Sequence, residues 1–308
     1  MSKASFAASL LALTLASATL AQQPAQQPAA AQPAAPSVSQ GQQLIRAGKL
    51  DEALAFYQGE LRSAHNGAGV VLDLLGRTEE ARVHFSKAIG AAATPQARAA
   101  AQRAMAMSYA FDNDCANTVK YEEMAFEYWG TVPDRYRQGE ALNEAARVCI
   151  EAGAFDVAET LYLRGQKAGL EEPNISPARV ALWKFRTEHA LARLAARRNQ
   201  PEVAKKHVAA ARAALDSSPE MAKDQEVFFP YLTGYVALYS GDAKTALADL
   251  QKANQNDPFI QVLMAQAHEK LGEKEQAIAL YRKAAATTNH NPPAAFARPF
   301  ARKKLSTE

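Results

Sequence analysis

A chain of 308 residues has room for one or two ordinary domains, or for a longer run of small repeats. Its 35 basic and 32 acidic residues leave a formal charge of only +3, which excludes the broad positive field of a nucleic-acid binder and confines any basic surface to a local patch.

The first element is a leader. Lys3 precedes an apolar run containing Leu10, Leu11, Leu13 and Leu15, and small residues follow up to Ala21. This is the plan of a secretory signal peptide over 1–21, cleaved after Ala21 or, alternatively, after Ala18. Ser17 and Thr19 dilute the run below the length of about 20 apolar residues that a membrane span needs. Residues 22–38, rich in Gln, Pro and Ala, show no apolar period and are expected to form a disordered linker. No later stretch is long and apolar enough to cross a bilayer. The mature chain is therefore expected to be exported, periplasmic or secreted, without stable membrane insertion after cleavage.

From residue 39 onward small and aromatic residues recur at repeating offsets. The first set is Gly41, Gly48, Leu50, Ala53 and Tyr57, and the second is Gly69, Gly76, Ala81, Phe85 and Ala88. A third, weaker set has Met105, Ala106 and Tyr109, with Asn113 where a glycine is expected and Ala125 beyond it. The fourth runs through Leu142, Ala145, Ala146, Gly153, Phe155, Ala158, Tyr162 and Gly165. The fifth is again weak, with Leu191, Ala192, Asn199, Ala204 and Ala211. The sixth lies in GYVALYSGDAKTALADLQKANQNDP, residues 234–258, as Gly234, Gly241, Ala246, Ala253 and Pro258. The seventh follows as Ala265, Gly272, Ala277, Tyr281 and Ala284.

This spacing resembles the tetratricopeptide repeat family, whose unit is two antiparallel helices with a small residue in the first, a Gly at the turn, and Ala, an aromatic, Ala and Pro through the second helix and its exit. The resemblance covers roughly 40–290. It implies an all-α protein, a right-handed α-solenoid of about seven antiparallel helix pairs over 39–290. A C-terminal capping helix and tail in 291–308 would cover the last pair. Small residues such as Gly234 and Ala246 would mark the close crossing within a pair, since helices approach to about 8–10 Å only over small side chains. Gly241 would allow the reversal, and Asn113 and Asn199 would serve at their turns because Asn tolerates the left-handed conformation.

Signals of chemistry are weak. The motif HEKLG at 268–272 has Gly272 where a zinc-binding helix needs its second His. The run GAGVVL at 67–72 lacks the third glycine of a dinucleotide fingerprint and follows no strand. His65, His84, His189, His207 and His290 show no close ligand spacing, and Asp51, Glu52, Glu79 and Glu80 read as first-turn acids of helices. No catalytic residue, cofactor or metal site is assigned. Cys115 and Cys149 are permitted to pair in an oxidising compartment; two buried free thiols acting as small apolar side chains are the preferred alternative.

The family register, carried over by resemblance, turns certain first-helix residues inward. These are Arg103, Met107 and Phe111 on the third pair, Asn143, Arg147 and Ile150 on the fourth, and Arg186, His189, Arg193 and Arg197 on the fifth. The sixth presents Phe228, Tyr231, Tyr235 and Tyr239, and the seventh Gln266, Glu269 and Lys270. Within each helix they recur every three or four residues and so share a face. The groove candidates are Arg103, Asn143, Arg147, Arg186, His189, Arg193, Tyr231 and Tyr235, a basic centre with an aromatic flank. Guanidinium groups make paired bonds to carboxylates, and Tyr gives stiff contact area. The expected function is a non-catalytic scaffold or adaptor of the cell envelope holding a protein or extended peptide in its concave groove. The alternative is a carrier of a small molecule or glycan that stacks on the tyrosines.

Overall fold

The computed structural model describes residues 38–59, 64–132 and 134–307. The leader and nearly all of the linker lie outside them. The described residues form sixteen α-helices, one short 3-10 turn and no strand. Seven consecutive pairs account for most of them: α1 (Val38–Arg46) with α2 (Leu50–Gly59), α3 (His65–Leu75) with α4 (Thr78–Ala91), α5 (Pro95–Phe111) with α6 (Cys115–Thr131), α7 (Arg135–Glu151) with α8 (Phe155–Leu170), α9 (Pro177–Arg197) with α10 (Pro201–Asp216), α12 (Phe229–Tyr239) with α13 (Ala243–Leu250), and α14 (Pro258–Lys270) with α15 (Lys274–Ala285). The fold is the all-α solenoid expected from the repeat. Between the fifth and sixth pairs the chain inserts a short helix, α11 (Pro219–Gln225), and the 3-10 turn Glu226–Phe228, which no repeat offset signals.

The seven turns share one backbone solution. Gly48, Gly76, Gly153, Gly241 and Gly272 have φ between 73° and 92°, and Asn113 and Asn199 take φ of 58° and 57°. A helix ending in a left-handed residue satisfies its last carbonyls and reverses within two or three residues. Two of the helices that follow these turns start on a side-chain cap, with Asp114 accepting from the Asn117 amide and Asp242 from Thr245, while Asp134 and Asp257 cap the first helices of the fourth and seventh pairs, accepting from Arg137 and from Phe259 and Ile260.

Small residues set the crossing distances. A Cβ placed on Gly139 would lie 2.5 Å from the Gly165 carbonyl oxygen, and one on Gly165 would lie 2.7 Å from the Gly139 carbonyl, so α7 and α8 touch backbone to backbone. In the sixth pair, a Cβ on Gly234 would meet Leu250 at 2.6 Å and the Ala246 carbonyl at 3.1 Å. Ala246, Ala277, Tyr281 and Leu250 are buried between helices as the repeat spacing implies. Ala253 is buried too, but in the turn after α13, which ends at Leu250.

Two findings depart from the expectations. Cys115 and Cys149 are joined as a disulfide, so they are not two free thiols; the left-handed turn at Asn113 starts α6 beside α7 and brings the two Cα atoms to 4.8 Å. The C-terminal helix α16 (Pro292–Ser306) does more than cover the last pair. Its Lys304 ammonium binds Glu269 of α14 at 2.9 Å, and Phe296 packs edge-on against Phe259. The same segment also reaches the second and third pairs: the His290 Nε2 bonds the buried Asp73 carboxylate at 2.7 Å, the Arg298 Nε–H donates to the Leu74 carbonyl at 2.9 Å, and Ala294 and Ala295 belong to the core around Phe85 and Phe111. Alanines at 294, 295, 297 and 301 let α16 lie close on both sides. Residues of the solenoid that are far apart in the chain are thereby tied through one helix.

Candidate functional site

What remains open on the inner side, beyond α16, is a cavity of about 440 Å³. Arg103 of α5 enters from the third pair; Glu140, Asn143, Glu144 and Arg147 from α7; and Phe185, Arg186, His189 and Arg193 from α9. The inserted 3-10 turn supplies Val227 and Phe228, α12 supplies Tyr231, the start of α14 supplies Asp257, Phe259 and Ile260, and Asn291, Pro292 and Pro293 close one wall. The volume falls in the ordinary range for small-ligand clefts, roughly 300–1,000 Å³.

Seven of the eight groove candidates line this cavity: Arg103, Asn143, Arg147, Arg186, His189, Arg193 and Tyr231. Tyr235 does not. It is fully buried beside Tyr239, its hydroxyl bonded to the Glu151 carboxylate and to Arg197. Other inward assignments are also core. Met107 and Phe111 pack toward the C-terminal segment, where Phe111 stacks on His290, and Ile150 is enclosed in the fourth pair. Burial against the C-terminal segment or a neighbouring repeat is the reason in each case: the family register predicts which face points inward and is silent on what already covers it.

The charges of the cavity are paired unequally. The Arg103 guanidinium forms a two-armed pair with Glu144, and Arg186 binds Glu140 and the Tyr136 hydroxyl. Asp257 is held by the two backbone amides of its cap. Arg193 is paired with no carboxylate among the described residues. It is 5 % exposed; Nη2 donates to the Tyr162 hydroxyl at 2.9 Å and Nη1 reaches that of Tyr231 at 3.4 Å, while Nε has no acceptor. Tyr162, Tyr231 and Tyr235 surround its charge with ring faces about 6 Å away. Arg147, half-buried across the cavity, makes no hydrogen bond or ion pair among the described residues, and the carboxylate within its electrostatic reach, Glu140, is already bound to Arg186.

His189 sits between these cations. Burial, then Arg193 and Arg147, hold its pKa well below the usual imidazole value, and its buried Nε2 has no hydrogen-bond partner among the described residues. The arrangement can hold an anionic group against Arg147, Arg193 and His189 while Phe185, Phe228, Tyr231 and Phe259 cover an apolar body. The register already turns Phe228 and Tyr231 inward, but Phe185, Val227, Phe259, Ile260 and the Asn291–Pro293 wall were not signalled, because all but Phe185 come from other elements that no periodicity within a single helix announces.

A second recess, about 390 Å³, lies between α5, α6 and α7 and shares Arg103, Glu140 and Glu144 with the first. Its lining includes Glu122, fully buried beside Glu144; burial, then the neighbouring Glu144 carboxylate, push its pKa well above the usual range.

Comparison with known proteins agrees with the repeat. The tetratricopeptide repeat family model matches residues 260–288, the seventh helix pair. A solved tetratricopeptide repeat protein from Parabacteroides merdae is 14 % identical, with 86 % of this chain and 97 % of that one aligned at a TM-score of 0.49. No curated protein matches the chain.

Proposed function

We propose that this tetratricopeptide-repeat protein is a non-catalytic binding module of the cell envelope, which receives an acidic group on an apolar body, presented by a protein partner, in the cavity between its third and seventh helix pairs. The observation that carries the reading is the pair Arg147 and Arg193, two guanidinium groups facing one cavity with no carboxylate of their own among the described residues. Arginine stays charged, and a buried charge without a counter-ion costs several kcal/mol. A ligand carboxylate would offset that cost through paired bonds. Export is supported by the leader and by the Cys115–Cys149 disulfide, which belongs to oxidising compartments. No helix among the described residues is long and apolar enough to cross a membrane.

The test is affinity capture from an envelope extract by the mature chain, with identification of what is retained, against a variant carrying Arg147→Glu and Arg193→Met. Loss of one or a few proteins with the variant, at unchanged helix content, is the expected result; full retention by the folded variant rejects the cavity. The fold itself offers a contrast. Arg193→Met removes an uncompensated charge and is expected to hold or raise the melting temperature, whereas Arg186→Met strands the Glu140 carboxylate and should lower it.

A small-molecule carrier is the second reading, favoured by the wall of Asn291, Pro292 and Pro293, which limits how far an extended chain runs along the inner side. If capture returns no protein, a thermal-shift screen of small aromatic and aliphatic acids against the parent and the Arg147→Glu variant decides it.

A further inference from the structure

Four of the six histidines are accounted for by their surroundings. His207 Nδ1 meets Glu188 at 2.6 Å, His268 Nδ1 meets Glu273 at 2.5 Å, His290 Nε2 meets Asp73 at 2.7 Å, and His189 belongs to the cavity. The two that remain face each other. His65, the first residue of α3, and His84, midway along α4, are 19 positions apart in the chain, and their Nδ1 atoms stand 3.3 Å apart. Among the described residues neither ring is hydrogen-bonded to a carboxylate.

At this separation one tautomer lets either ring donate to the other. The distance also matches a second geometry. Two imidazole nitrogens bound at about 2.0–2.1 Å to one tetrahedral ion lie about 3.4 Å apart. Ring centroids sit about 1.1 Å behind their nitrogens, so the same ion sets them about 5.2 Å apart. The observed centroids are 5.3 Å apart with ring planes inclined at 61°, so the rings are not stacked and both Nδ1 edges turn toward a shared space. The nearby charges are of opposite sign: Glu80, itself paired with Arg77, attracts a cation at His84 and Lys87 repels one. Both rings are partly buried, so part of the coordination sphere stays open to water.

We propose that His65 and His84 form a two-histidine site for a divalent transition-metal ion of the zinc, nickel or copper class, which staples α3 to α4 in the second helix pair. Imidazole is a ligand these ions share, and water completes the remaining positions. The site is independent of the inner cavity and of any partner held there.

The test titrates untagged mature chain with zinc and, separately, nickel, by calorimetry. The expected result is one ion per chain. His65→Gln and His84→Gln should each raise the apparent Kd at least about tenfold, the lower range for damage to a metal site, while His207→Gln leaves it unchanged. Equal heats from parent and both variants overturn the proposal, as does the absence of any heat. Because a variant at the start of α3 can perturb that helix, a second readout uses the parent alone: long-range proton–nitrogen spectra of the imidazoles, in which saturating zinc must move Nδ1 of both His65 and His84. Resonances that stay in place sink the site whatever the variants do.

Discussion

The seventh and fifth helix pairs solve the same folding problem with different sequences. In the seventh, α14 and α15 are 13 and 12 residues long, Gly272 makes the turn, and the repeat family model recognises the stretch. In the fifth, α9 and α10 run to 21 and 16 residues and Asn199 replaces the glycine, yet φ is 57° against 79° at Gly272 and the helices pack as a pair. The repeat therefore requires a left-handed residue at the turn and small residues at the crossing, and tolerates wide variation in helix length. That freedom is used for the site. The long α9 carries Phe185, Arg186, His189 and Arg193 to the cavity, while the inner side of the seventh pair is partly covered by α16. The stretch matched by the repeat family model contributes only the beginning of α14 to the cavity.

The strongest challenge to this comparison is a methyl group at the crossings. Gly139→Ala would press a Cβ against the Gly165 carbonyl and the Trp183 ring, and neither side can yield easily. We expect a loss of about 1–3 kcal/mol, the usual range for overpacking. Gly234→Ala in the sixth pair meets the Leu250 Cγ and Cδ2, side-chain atoms that can rotate, with the Ala246 carbonyl farther off, and should lose less. Urea unfolding of both variants checks the ranking, and equal losses would show that the middle pairs are not the tighter ones.

A second expectation concerns charge in the long-helix region. Glu122 has a folded-state pKa above its unfolded value, so the native chain holds a proton that the unfolded chain releases. That contribution is complete below the unfolded value and is lost as pH rises through the folded one. Glu122→Gln keeps a neutral group throughout, so its stability advantage over the parent should be small near about pH 5 and larger near about pH 8. Melting curves at the two pH values test the sign. An advantage that shrinks with rising pH would contradict the burial of the Glu122 carboxyl.

The smallest effect sharpens the turn rule. Asn199→Gly should be neutral or stabilising by a few tenths of a kcal/mol, whereas Asn199→Ala, which disfavours positive φ, should cost about 1 kcal/mol. Thermal unfolding of the two variants distinguishes a conformational requirement from a side-chain one.

Much of the architecture was legible in the residues because it rests on local rules. Gly76, Asn113 and Asn199 declare turns through the left-handed backbone, Ala246 and Ala277 declare crossings through their size, and Asp51 and Glu79 declare helix starts through the dipole. The candidate site was legible in part. Helical spacing groups Arg186, His189 and Arg193 on one face, but nothing in that spacing says that Arg186 is neutralised by Glu140 and Arg193 is not. Tyr235 shares its face with Tyr231 and is nevertheless core, because Glu151 and Arg197 close over its hydroxyl.

The sequence by itself determined an all-helical chain of about seven paired repeats and the place of their turns, since each follows from offsets within some tens of residues. Only the tertiary structure decided the rest. Pairing of Cys115 with Cys149, the meeting of His65 with His84 and the tie of His290 to Asp73 all join residues from different helices. So does the closure by α16 that turns an inner face into a cavity. The first two depend on how neighbouring helices pack, and the tie of His290 and the closure by α16 on how the rotations of successive repeats add up along the solenoid, a sum that no single repeat contains.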